Sequence, residues 1–191
     1  MNRGKTIMFV DNSNIFHGSK AAGWRIDAKK LHTFLEERGP IWQTFFFAAV
    51  TDPPRYSQTA FYQILKTQLH YEMTILPLGL KTMTCKKCGD RRVVPVEKGI
   101  DVALATKLLV LANNRAFETA ILVSGDKDYL ETVKAVKSNG LRTEVVSWKG
   151  SLSRDLGEEA SASTTFLDDL RDRIELKYAI DVEAEKLVEP E

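Results

Sequence analysis

The chain of 191 residues carries 27 Lys and Arg against 26 Asp and Glu, a net charge of +1, with 43% hydrophobic and 28% charged residues. This is the composition of a folded domain of ordinary size and excludes a disordered chain. The near-neutral total also excludes a molecule that holds polyanions by bulk charge, so any affinity for nucleic acid has to come from local charge. The two cysteines, Cys85 and Cys88, do not make a secreted disulfide framework. The apolar run before Asp11 is too short for a signal peptide, and no later run is long enough to span a bilayer. A cytoplasmic protein with no membrane partner is the expectation.

In chain order, TIMFV (residues 6–10) reads as a buried strand that stops at Asp11. Residues 27–38 predict a helix capped by Asp27 and stopped by Gly39-Pro40, with Leu31, Phe34 and Leu35 at helical spacing. Residues 42–50, rich in aromatic and β-branched side chains, predict a second strand. Residues 55–70 predict a helix with Phe61, Ile64, Leu65 and Leu69 on one face, and 73–78 a third strand. Residues 99–115 predict a long helix with Val102, Ala105, Leu108, Leu109 and Ala112 inward. A fourth strand is expected at 119–124, a helix at 127–138 closed by Asn139-Gly140, and a fifth strand at 141–148. Short helices are expected at 151–157 and 166–177.

Strands alternating with helices imply βαβ units and a mainly parallel sheet. The expected fold is a three-layer Rossmann-like α/β domain over residues 1–178, with its core at about 5–148. From Asp155 to Glu191 the chain holds 12 acidic and 4 basic residues, and 179–191 reads as an acidic tail.

Ligands of an open parallel sheet bind beyond the carboxyl ends of the strands. Asp11 follows the first strand, and Asp126 and Asp128 follow the fourth. Asp101 opens the helix that leads into the fourth strand, so it should start on the same rim. Each acid has a plainer reading. Asp11 and Asp126 can cap a turn or helix, and Asp101 and Asp128 can sit in a helix first turn because of its positive end. Four carboxylates on one rim, however, repel each other unless a cation neutralises them. Oxygen-only ligands favour Mg²⁺ or Mn²⁺, which suits phosphodiester chemistry.

VDNSNI (10–15), EKGIDVALATKLL (97–109) and VSGDKDYLETV (123–133) together resemble the NYN domain family, in its LabA-like bacterial branch within the PIN-like nuclease superfamily. The resemblance runs from about residue 5 to about residue 148. It implies a PIN-like fold and Mg²⁺- or Mn²⁺-dependent ribonuclease chemistry. By motif, Asp11, Asp101, Asp126 and Asp128 match the catalytic and metal-binding acids, and Asn14 matches the polar partner in the first block. Asn14 offers an amide to a phosphate or to the metal's water, whereas Asn12 is expected to shape the turn. Lys98 can contact a phosphate, and Ser124 can donate to one or orient its loop.

Residues 81–98 bring six basic and two acidic side chains into a short stretch. They predict a basic β-hairpin at 80–97 with CKKCGD at its tip. Lys86, Lys87, Arg91 and Arg92 there could grip an RNA backbone. The hairpin has no aromatic residue; Phe16, Trp24 and Tyr129 are the candidates nearer the rim for stacking on bases. Cys85 and Cys88 supply half of a structural zinc site, which two subunits of a homodimer could complete; a redox dithiol fits less well because the motif does not open a helix, and otherwise they are reduced thiols in a turn.

The acidic rim together with what the resemblance implies leads to the expectation of a ribonuclease acting on RNA through an Asp-rich Mg²⁺ or Mn²⁺ site. The rival is a non-catalytic RNA- or protein-binding regulator that keeps the acidic pocket. A phosphoacceptor domain fits less well, because the middle strands offer no terminal Asp except Asp52 beside proline. A dinucleotide site lacks the glycine fingerprint after the first strand.

Overall fold

The computed structural model describes residues 3–84 and 87–177. Asp27 caps its helix as expected, its carboxylate accepting from the Lys29 and Lys30 amides. The strands are β1 Thr6–Asp11, β2 Ile41–Val50, β3 Glu72–Pro77, β6 Thr119–Val123, β7 Arg142–Ser147 and β8 Ser163–Phe166; the four central ones are largely buried, and the edge strands β3 and β8 are only partly covered. They pair in the order β3-β2-β1-β6-β7-β8, and every pairing is parallel. A separate antiparallel hairpin, β4 Gly79–Thr84 and β5 Arg91–Val96, leaves the sheet after β3 and returns directly into α4.

The seven helices of the described residues are α1 Asn12–Ala22, α2 Ala28–Glu36, α3 Tyr56–Gln68, α4 Ile100–Asn113, α5 Leu130–Ser138, α6 Arg154–Glu159 and α7 Arg171–Ile174. Alternation along β1 divides the core. Ile7 and Phe9 pack on one face with Leu104 and Leu108 of α4, Val133 and Val136 of α5, and Leu156 of α6. Met8 and Val10 pack on the other with Leu31 and Leu35 of α2, Tyr62 and Leu65 of α3, and Ile174 of α7. This is the expected three-layer Rossmann-like α/β architecture, with a hairpin insertion. No helix among the described residues is long and apolar enough to cross a membrane.

Several local expectations are corrected. Residues 12–22, where only a turn at Asn12 was expected and no helix, form α1; none of its residues is buried, so no apolar period marked it. Val102, expected inside, is 69% exposed, and Leu104 fills the inner position. On α3, Tyr62 rather than Phe61 is buried. The 127–138 helix begins as a 3₁₀ turn at Lys127–Tyr129 before α5. Strand β8 lies between the two short C-terminal helical segments and was not expected. Cys85, Lys86 and the acidic tail lie outside the described residues, and Cys88 is exposed with a free thiol.

Candidate metal centre

Strand β1 connects to β2 on one side while β6 lies against its other side. The strand order reverses between β1 and β6, which opens a crevice at their carboxyl ends. Asp11 is the last residue of β1, on the side of the sheet that α4 and α5 cover, and is only 2% exposed. Its Oδ1 accepts the Asn14 N–H at 3.2 Å and so caps α1. Its Oδ2 accepts from the Ser124 hydroxyl at 3.0 Å. The capping role of Asp11 is therefore real; it occupies Oδ1, and Oδ2 takes the hydroxyl of the neighbouring strand end.

The loop after β6 is held by the same network. Ser124 Oγ accepts the Asp126 N–H at 3.2 Å, and Asn14 Oδ1 accepts the Gly125 N–H at 3.1 Å and the Ser151 hydroxyl at 3.3 Å. Gly125 has no space for a side chain, because a Cβ there would stand 2.5 Å from the Ser151 carbonyl oxygen. Asp126 Oδ1 accepts the Asp128 N–H at 3.0 Å and caps the 3₁₀ turn. That turn drives Tyr129 into the core at 0% exposure. Its hydroxyl lies 3.2 Å from Asp101 Oδ1 and 3.4 Å from Asp11 Oδ2. Asp101 is exposed in the first turn of α4, which begins after Gly99 at φ +80°. A left-handed residue there lets the chain turn from β5 into the helix on this rim.

Burial pushes the Asp11 carboxyl up to about 6; the Asn14 and Ser124 hydrogen bonds pull it back, and the charges of Asp101 and Glu97 push it further up. Glu97, read from sequence only as one charge of the hairpin, thus belongs to the electrostatics of the crevice. Burial first, then the charges of Asp11, Asp101 and Asp126, raise the Tyr129 phenol far above its ordinary range. It therefore stays protonated and acts as a donor.

Asp11 and Asp101 come together about one hydroxyl, with Asp126 in electrostatic reach. The expected four-acid set is not gathered into one cage: among the described residues no three His, Cys, Asp or Glu side chains are placed to hold one ion. Asp128 is exposed on the 3₁₀ turn, and its described tie to the network is its backbone N–H. The pair that remains still suits a hard cation. Both ligands are carboxylates, one is buried where its charge is costly, and Mg²⁺ commonly takes one or two carboxylates and completes its shell with water and phosphate oxygens.

Ser124 is corrected as a phosphate contact: it is fully buried, and its hydroxyl is spent on Asp11, so it orients the loop. Asn14 spends its carbonyl oxygen within the protein and keeps its NH₂. Lys98 is exposed, with its stem over Gly79 at the hairpin base. Lys87 and Arg91 are exposed, and Arg92 pairs with Asp90 at 2.9 Å. Trp24 and Tyr129 are buried and cannot stack on a base, whereas Phe16 is 46% exposed with Lys20 over its ring.

A three-layer parallel α/β domain with a carboxylate pair at its strand-order reversal defines the class of protein. The NYN domain family model matches residues 5–168, and the chain belongs to that family. A crystal structure of a protein of unknown function from Vibrio parahaemolyticus RIMD 2210633 is similar, with a TM-score of 0.69 over 91% of this chain and 97% of that one, at 18% identity. That likeness concerns the fold. No curated protein matches the chain.

Proposed function

We propose that the chain is a metal-dependent ribonuclease. NYN domains are generally nucleases. The single observation that carries the reading for this chain is the buried Asp11 carboxylate facing Asp101 across one hydroxyl, at the crevice where such sheets bind ligands. Asp11 and Asp101 would hold Mg²⁺ or Mn²⁺, with Asp126 adding negative charge and Asp128 at the margin. When bound, the ion supplies a more acidic water and neutralises charge gathering on the phosphate. The chain's own residues do the remaining work. Ser124 and the Asn14 amide fix the Asp11 carboxylate in one orientation. The Asn14 NH₂ and the Lys98 ammonium are the donors offered to phosphate oxygens. Lys87, Arg91 and Arg92 on the hairpin would track the RNA backbone leading to the crevice.

The test is cleavage of an end-labelled single-stranded RNA with EDTA, Mg²⁺ or Mn²⁺, by the wild type and by Asp11→Asn. Cleavage that needs the metal and is lost in the variant supports the reading. Cleavage that survives the substitution contradicts it. The incomplete ligand set favours one second reading, RNA binding without turnover; RNA bound but uncleaved under every metal would select it.

A further inference from the structure

We propose that Tyr129 is a positioning residue whose hydroxyl sets the separation of Asp11 and Asp101 for the cation; this rests on the metal reading above. The ring belongs to the core cluster beneath the crevice, where a phenylalanine would serve equally well as packing. The hydroxyl is what packing leaves unexplained. A hydroxyl buried without a partner costs free energy. Here its partners are two carboxylates from different parts of the chain, the end of β1 and the start of α4, and the tyrosine itself stands on a third, the turn after β6.

A phenol has one proton, so it donates to one carboxylate at a time while its oxygen stays between them. Asp11 already has two other hydrogen bonds holding it, from Asn14 and Ser124. Asp101 has none besides Tyr129 among the described residues, and it is exposed on a helix with no side-chain cap. An untethered surface carboxylate samples several rotamers, and fixing one in advance removes that entropy from the binding step. Tyr129 would therefore act mainly through Asp101. Removing partners of this kind, which orient a metal's ligands from behind, typically lowers affinity 10- to 100-fold.

The test measures Mn²⁺ binding by calorimetry, without RNA, for the wild type, Tyr129→Phe and Asp11→Asn, with thermal unfolding of each. The expected result is a Tyr129→Phe protein that melts as a folded domain and binds Mn²⁺ about 10- to 100-fold more weakly. In cleavage, the Mn²⁺ concentration for half-maximal rate should rise by the same factor, while RNA affinity in EDTA stays unchanged. Wild-type affinity in Tyr129→Phe, alongside weakened affinity in Asp11→Asn, would overturn the role of Tyr129 and leave the metal reading standing. Mn²⁺ binding absent from the wild type, or unchanged in Asp11→Asn, would overturn both. As a second measurement on a protein that keeps its hydroxyl, 3-fluorotyrosine placed at position 129 gives a fluorine resonance. That resonance should move on Mg²⁺ addition with the midpoint that calorimetry gives for Mg²⁺ on the same protein, and a resonance indifferent to Mg²⁺ overturns the proposal.

Discussion

The Ser124 hydroxyl donates to Asp11 Oδ2 across 3.0 Å, and this bond ties the carboxyl end of β6 to the carboxyl end of β1. The two strands are neighbours in register, Val10 beside Val123, so the residues that follow them meet at the point where the strand order reverses. One hydroxyl thereby fixes a buried carboxylate and, through the Asp126 N–H it accepts, the loop beside it. The sheet's connectivity is what brings residues 11 and 124 into contact.

The buried state of Asp11 gives a pH dependence. In the metal-free protein its carboxyl is pushed up to about 6, above the roughly 3.9 of an unfolded chain. Below about pH 4 it is protonated in both states and costs nothing. As pH rises towards 6 the unfolded chain releases the proton first, so stability falls. Above 6 a cost on the order of 3 kcal/mol remains. Asp11→Asn has no such charge. In EDTA, its stability relative to the wild type should rise between pH 4.5 and pH 8 by up to about that amount, measured by urea unfolding. A difference constant with pH would contradict the burial argument.

Gly125 sits where no Cβ fits, against the Ser151 carbonyl and the Ser147 hydroxyl. Gly125→Ala should cost at least about 1–3 kcal/mol, as overpacking of a tight interior does. It should also displace the loop that Asn14 holds through the Gly125 N–H. Thermal unfolding together with Mn²⁺ affinity checks this, and a variant as stable as the wild type would show that the loop yields freely.

The hairpin should supply the salt-sensitive part of RNA binding. Lys87, Arg91 and Lys98 are exposed and have no carboxylate partner among the described residues, whereas Arg92 is paired with Asp90. Replacing Lys87, Arg91 and Lys98 together by Ala should weaken single-stranded RNA binding. It should also flatten the plot of log affinity against log salt by about 2, at roughly 0.7 for each phosphate that these side chains neutralise. Fluorescence anisotropy in EDTA over a series of KCl concentrations measures both. An unchanged slope would move the RNA path away from the hairpin.

Much of the fold was legible because burial writes itself into sequence. TIMFV and FFFAAV are apolar runs, and their strands are buried on both faces. The hairpin was legible from the turn residues between two extended stretches. Helix α1 was not, since Asn12, Ser13, Asn14, His17 and Gly18 give it no apolar stripe. Asp11 holds its first turn and packing against Trp148 its middle. Helix α4 was found, but its inner face was misplaced at Val102, because apolar residues surround that helix and leave its phase undefined. Four-residue β8, Ser-Thr-Thr-Phe, carries too little pattern to read.

At the site, connectivity was enough to bring Asp11, Asp101 and Asp126 to one rim. It could not foresee that Asp128 would turn outward, because that depends on the 3₁₀ geometry of residues 127–129. Nor could it show that Tyr129, three residues past Asp126, would turn inward with its hydroxyl between two carboxylates.

Crystals soaked in Mn²⁺ and measured for anomalous scattering put the central claim to its most direct trial. A peak bonded to oxygens of both Asp11 and Asp101, with Tyr129 still hydrogen-bonded behind them, is the outcome our reading demands. Full soaking with no peak between those two side chains, or a manganese ion held elsewhere while both stay bare, would contradict it.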